Sequence, residues 1–266
     1  TVYDELLALC QFLPGPGSTQ TAAALGWVRA GPLGAVLALS GFVLPAALIM
    51  AAAGYGASAY GGLIPGGVRA GLLAAAAAVV GAAVLSMAQS HARRPAGAAL
   101  AVVGLAATLA GGYSPVPLAA IQPAVIVAGA ALGAALLRPL EGSASAEPAP
   151  RKGRARGALI ALALFAAGLI ILPLLAGEAR VIALADAVYR AGALVFGGGH
   201  VVLPLLDAGT VPAFLDRETF LAGYGLAQSI PGPVFTFAAF LGAAAGEGPA
   251  GAALFAITAV LAIFTP

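Results

Sequence analysis

Leu226-Ala227-Gln228-Ser229-Ile230-Pro231-Gly232-Pro233, with Thr236 just beyond, has a counterpart near the other end of the chain. There the sequence reads Leu9-Cys10-Gln11-Phe12-Leu13-Pro14-Gly15-Pro16, with Thr19 just beyond. In both copies Gln stands three residues before the first proline and Thr five residues after it. Proline has no amide proton, and its ring collides with the preceding helical turn. Two prolines around a glycine therefore stop a helix. Helices stopped at matching points of two membrane-embedded halves mark a transporter's binding site.

The rest of the chain reads as membrane protein. Hydrophobic residues make up 61% and charged residues 8%, with mean hydropathy +1.03. A soluble surface needs roughly 25% charged residues, so this chain cannot clothe one. Ala and Gly fill the apolar runs, and small residues let helices approach closely in lipid. The net charge is only +2, with no basic stripe interleaved with aromatics. Nucleic acid is not an expected partner; the lipid bilayer is. The single Cys10 excludes an intramolecular disulfide. No cleavable leader is evident.

The expected fold is an all-α polytopic bundle with an inverted repeat, its helices broken at Pro-Gly-Pro and at Gly-Gly-Gly-His. Broken helices are expected over 4–28 and 219–246, with apolar runs at 32–54, 66–90, 95–112, 116–137, 158–175, 181–205 and 249–266. Residues 138–157 are polar and hold five of the twelve basic residues, Arg138, Arg151, Lys152, Arg154 and Arg156. They read as a linker between an N-terminal repeat, 1–137, and a C-terminal repeat, 158–266.

Cytoplasmic loops are rich in Lys and Arg, which puts the linker, Arg93, Arg94 and Arg29 inside. Counting spans puts the uncharged turn at 111–115 outside, 206–218 inside and the turn at Glu247 outside, provided that each broken helix crosses once. The two breaks would then be related by an axis in the membrane plane, the architecture of alternating access. A re-entrant path at either break would change that relationship.

Phe196-Gly197-Gly198-Gly199-His200 is a third break. Each helical Gly costs ~1 kcal/mol relative to Ala, so three in succession argue against a continuous helix. The offset carrying Pro14 to Pro231 would place the partner of this segment before residue 1. The expectation is therefore of a chain shortened at both ends relative to a symmetric protein.

If the cargo of such a carrier is a dianion, meeting it with Arg where water is scarce is costly. A helix N-terminus offers free amides and partial positive charge instead. Each Pro-Gly-Pro opens a new half-helix, exposing amides near Gly17 to Gln20 and near Val234 to Phe237. The candidate anion-binding residues are thus Gln11, Pro14, Gly15, Pro16, Ser18, Thr19 and Gln20 at the first break. Gln228, Pro231, Gly232, Pro233 and Thr236 serve at the second, and Gly197, Gly198, Gly199 and His200 at the third. Protonated His200 would be the one switchable charge near mid-membrane. Binding should weaken as pH rises through its pKa. One charge moved through 100 mV is worth ~2.3 kcal/mol, so a departing dianion gains about 4.6 kcal/mol. Energetics thus favours export, while the sequence itself leaves the direction open.

Ala8 to Pro16 with Gly26-Trp27 and Arg29-Ala30-Gly31, Phe196 to Leu205, and Phe220 to Pro233 together resemble the chromate ion transporter family. The likeness covers most of the chain and is strongest at 1–50 and 190–245. It implies a multi-pass protein of the bacterial cytoplasmic (inner) membrane with antiparallel halves, exporting chromate under the proton-motive force. One departure is that the glycine-rich Phe-Gly-Gly-Pro helix, which opens the family's N-terminal half, has no match here.

Other readings compete. The breaks could be mere kinks, and His200 could be a packing histidine. Asp186 and Arg190 lie on one helical face and can pair; Trp27 and Tyr55 read as interface aromatics. An enzyme is disfavoured, with no Gly-x-Ser-x-Gly elbow and no metal-ligand cluster, and no cofactor is expected. A sulfate carrier or an oxyanion channel is a closer rival, because chromate and sulfate share shape and charge. Protons are candidate coupled partners, and a homodimer is an assembly the chain could form.

Overall fold

The computed structural model describes all residues except Thr1, Pro14, 62–64, 92–94, Gly112, 114–117, 137–154, 196–198 and His200. The described residues form helices joined by turns. These are α1 (Val2–Phe12), α2 (Gly17–Tyr60), α3 (Gly66–His91), α4 (Pro95–Gly111), α5 (Leu118–Leu136) and α6 (Ala155–Leu175). Then come α7 (Arg180–Ala193), α8 (Val202–Thr210), α9 (Arg217–Ser229), a 3-10 turn (Val234–Thr236), α10 (Phe237–Ala245) and α11 (Gly248–Phe264). Three stretches are long and apolar enough to cross a membrane, Gly17–Tyr60, Gly66–Ser86 and Gly157–Leu175. Large apolar side chains such as Leu48, Leu109, Leu164 and Leu174 stay exposed. On a water-facing surface such patches are a liability; in lipid they are the matching surface. The chain is an all-α membrane protein.

Two compact units divide it, residues 1–80 with 162–266, and residues 81–161. In the second unit α4 and α5 pair: a Cβ at Gly111 would touch the Ile121 side chain, and one at Gly104 would meet Val125.

The first unit holds the breaks. α2 is two arms, residues 17–29 and 32–60, because Ala30 and Gly31 leave helical geometry and Gly31 takes φ +63°. That is backbone only glycine adopts readily. The arms fold back on each other, so Gly26 and Gly34 touch backbone to backbone. The second arm runs from this turn, the Arg29 end of the unit, to Tyr60 at the other. α10 packs along it, where a Cβ at Gly54 would collide with the Phe240 backbone. α11 covers α10, and α7 covers α11. Their core includes Phe220, Tyr224, Phe235, Phe237, Leu184 and Met50. Phe237 sits edge-on to Phe220, centroids 5.2 Å apart, and edge-on to Tyr224 at 5.8 Å. Each such pair adds about 0.5–1.5 kcal/mol beyond its buried area.

The chain's path corrects one expectation. Arg69, at the start of α3, forms an ion pair with Glu218 at 2.6 Å. Arg180 lies over the Phe214 ring at 5.7 Å and reaches Glu247 at 3.7 Å. Tyr55, Ser58 and Ala59 flank the same hollow as Glu247. Residues 55–61, 214–219 and 244–248 therefore share the Tyr60 end, so 206–218 and Glu247 do not lie on opposite sides. α9 enters from that end, breaks at Pro-Gly-Pro, and α10 returns to it. The second broken segment is a re-entrant hairpin. The physical reason is the glycine between the prolines. The paired prolines end the helix whichever way the chain then turns, whereas Gly232, at φ +148°, sends it back.

The segment 181–205 behaves alike. α7 descends from Arg180, and α8 climbs back beside it, so that a Cβ at Gly209 would touch Ala187. At the first break the chain also doubles back. A Cβ at Gly17 would lie 3.1 Å from the Cys10 carbonyl oxygen, far closer than the roughly 10 Å that seven residues span in a helix.

Candidate functional site

Three hairpin tips meet inside the first unit. The Gly15 amide donates to the Val195 carbonyl at 2.9 Å, joining the first Pro-Gly-Pro to the end of α7 just ahead of the glycine run. Gly199, in that run, faces Val234, which follows the second Pro-Gly-Pro; a Cβ on Gly199 would lie 3.0 Å from the Val234 Cβ. Gly232 rests on Ala46, midway along the second arm of α2.

The two Pro-Gly-Pro breaks are built alike. Both glycines have positive φ, +120° at Gly15 and +148° at Gly232. In each, the carbonyl of the second proline accepts the amide of the following Thr at 2.9 Å, Pro16 from Thr19 and Pro233 from Thr236. Both threonines are buried. The amides ahead of those bonds open new helical turns and have no earlier turn to bond with.

Side chains then set the two apart. The Thr236 hydroxyl donates to the Pro233 carbonyl at 2.8 Å, so the donor role expected of it is taken. The Thr19 hydroxyl is buried without a hydrogen-bond partner, and so is the Gln228 amide nitrogen. A buried polar group left unpaired costs about 1–3 kcal/mol, so such atoms point to a missing ligand. Gln20 folds over Gly15, where a Cβ would strike its amide nitrogen. Pro16 and Pro233 are buried, while Ser18, Pro231 and Gly232 are exposed. Gln11 belongs to α1, with its backbone alone described. Pro14, Gly197, Gly198 and His200 lie outside the described residues.

Tyr224 was not among the expected site residues. It is 0% exposed, and its hydroxyl lacks a partner. It stands one turn before Gln228 on α9, close beside that amide but without a geometrically complete hydrogen bond to it. The sequence hides it because Phe220 and Tyr224, four apart, read as an apolar stripe. The spacing to Gln228 was the available signal. Arg190, just ahead of Val195, carries the nearest guanidinium along the chain. It is held by Asp186 at 2.8 Å, the pairing their spacing suggested, so its charge is already balanced by a carboxylate.

At the Tyr60 end, Asp216 caps α9. Its carboxylate accepts the Thr219 amide at 2.9 Å and the Thr219 hydroxyl at 2.7 Å. Those bonds hold the Asp216 carboxyl below the usual carboxylate range. Among the described residues no group of three or more His, Cys, Asp or Glu could hold a metal.

The family model described as chromate transporter matches residues 1–134 and 182–266 of the chain. Comparison with curated proteins and with solved structures gave no match.

Proposed function

Since this chain belongs to the chromate transporter family, we propose that it moves chromate across the bacterial inner membrane, holding the anion where the three hairpin tips meet. Its transport role follows from the family; the site, coupling and direction are our reading. The observation that carries the site is the Gly15–Val195 hydrogen bond, which draws two breaks remote in sequence to one point. Around that point two half-helices begin, at Gly17 and Val234. Thr19, Tyr224 and Gln228 supply polar atoms without partners. Helix starts and neutral donors suit a tetrahedral dianion in a low-dielectric site, where an uncompensated Arg would be costly.

Our reading keeps the two halves as inverted repeats, 1–137 and 158–266 about the 138–157 linker. The first hairpin leads to the Arg29 end, and the hairpins α7–α8 and α9–α10 come from the Tyr60 end. Tips approaching from opposite ends suit alternating access. In this reading His200 supplies a proton-dependent charge, and the membrane potential drives the dianion outward.

Chromate flux in proteoliposomes tests the site. Saturable flux, inhibited by sulfate and lost in Gln11→Ala, His200→Ala and Gln228→Ala, is the expected result. Wild-type flux in all three variants would refute it. Sulfate is the second reading, favoured by a donor set rich in backbone amides, which meets either oxyanion equally. Sulfate flux without chromate flux would establish it.

A further inference from the structure

A cavity of about 580 Å3 opens at the Tyr60 end. Its lining along α9 and its cap runs Asp216, Thr219, Ala222, Gly223 and Leu226, one stripe at helical spacing. Along that stripe it reaches roughly 15 Å down α9, at 1.5 Å per residue. It stops two residues short of Gln228. The opposite wall is the end of the second arm of α2, from Ala53 to Tyr60, and Phe240 of α10 also lines it. The cavity thus leads from one end of the unit toward the hairpin tips.

The polar groups in this passage are unequal. Asp216 has both carboxylate oxygens engaged by Thr219. Arg69 is the cation of the lining, and its guanidinium is bound by Glu218, which is not part of the lining. Both partners of that pair are half-exposed, 37% and 49%. Half-exposed ion pairs are weakly held, so another anion can replace the carboxylate with little loss. A planar guanidinium also suits the paired oxygens of an oxyanion as well as it suits a carboxylate.

We propose that this cavity is the vestibule between the hairpin tips and the Tyr60 end, and that Arg69 is its anion-capturing residue, with Glu218 occupying the guanidinium until an oxyanion displaces it. This rests on the reading of the chain as an oxyanion carrier. It adds a residue that determines how well the anion is captured, away from the tips that hold it. Glu218 then acts as an internal competitor: the guanidinium is never left bare toward the membrane, and the passing dianion trades places with it.

Initial rates of chromate uptake in proteoliposomes test this, with reconstituted protein quantified for each variant. Arg69→Gln is expected to raise KM about tenfold, the scale on which a charged cleft concentrates its substrate, with the maximal rate nearly kept. Arg69→Lys should keep most of the capture. Glu218→Gln should lower KM, because the competitor is gone. The KM of wild type should rise with ionic strength and that of Arg69→Gln should not. A wild-type KM in Arg69→Gln, or an unchanged or raised KM in Glu218→Gln, overturns the proposal while leaving the carrier reading intact. If Arg69→Gln does not fold, the Glu218→Gln result decides alone. Absence of chromate and sulfate flux in wild type overturns the carrier reading and this proposal with it.

Discussion

Gly15 and Val195 are joined by a backbone hydrogen bond of 2.9 Å, the contact that ties the first Pro-Gly-Pro to the chain just past α7. It leaves the tip geometry to main-chain groups, so substitutions that alter main-chain freedom should matter most.

Gly15→Ala is expected to be damaging on two counts. Its φ of +120° costs a non-glycine residue about 1–3 kcal/mol, and its Cβ would strike Gln20. Gly31→Ala shares the first cost but meets open space at the far end of the unit. Thermal unfolding in detergent should fall for both, whereas KM for chromate should change for Gly15→Ala alone.

Tyr224→Phe and Thr19→Val remove buried hydroxyls that make no complete hydrogen bond to the protein. Deleting an unsatisfied polar group is near neutral or stabilising. Both variants should therefore unfold at or above the wild-type temperature while KM rises about tenfold, equivalent to ~1.4 kcal/mol. Lower unfolding temperatures with unchanged KM would show these hydroxyls to be structural.

His200→Gln keeps a hydrogen-bond donor but cannot be protonated. Wild-type flux should decline with rising pH as the imidazole loses its proton. The variant should show a flat profile. A variant profile that follows wild type would remove His200 from the coupling.

Asp216 gives a pH dependence of stability with a definite sign. Its carboxyl is held low by the Thr219 amide and hydroxyl, so the ionised form is favoured in the folded state. That contribution is complete above the unfolded value of ~3.9 and is lost as pH falls through the lower folded value. Asp216→Ala should cost about 1 kcal/mol at neutral pH, the usual worth of an N-cap. The two melting curves should converge in strong acid. A gap that persists there would mean the cap acts through packing.

Much of the fold was legible, for local reasons. Two prolines around a glycine stop a helix where a lone one such as Pro45 or Pro173 does not, so Pro14 to Pro16 and Pro231 to Pro233 could be read as breaks. The apolar runs at 66–90 and 95–112 became α3 and α4 nearly residue for residue, since length and hydropathy decide such helices. The direction taken after a break was not legible. Counting spans assumes that a chain leaving a proline goes forward, yet at Gly232 it turns back. That choice is made by contacts such as Gly209 with Ala187, between residues that no local pattern connects. Within the candidate site, Gln228 and Thr19 stood out because the repeat singled them out. Tyr224 has no counterpart in the first copy and blended into the core.

Selectivity in such a site would belong mainly to the skeleton of the chain. Main-chain amides carry no genetic spelling of their own, so substitutions around Gly15 and Val195 can vary the packing without changing the charge presented to the ion. Discrimination between tetrahedral oxyanions would then be a matter of gauge, the clearance left between abutting loops. Over generations it would be retuned by residues that shim those loops apart or together, such as Ala46 beneath Gly232, rather than by exchange of the groups that touch the ion.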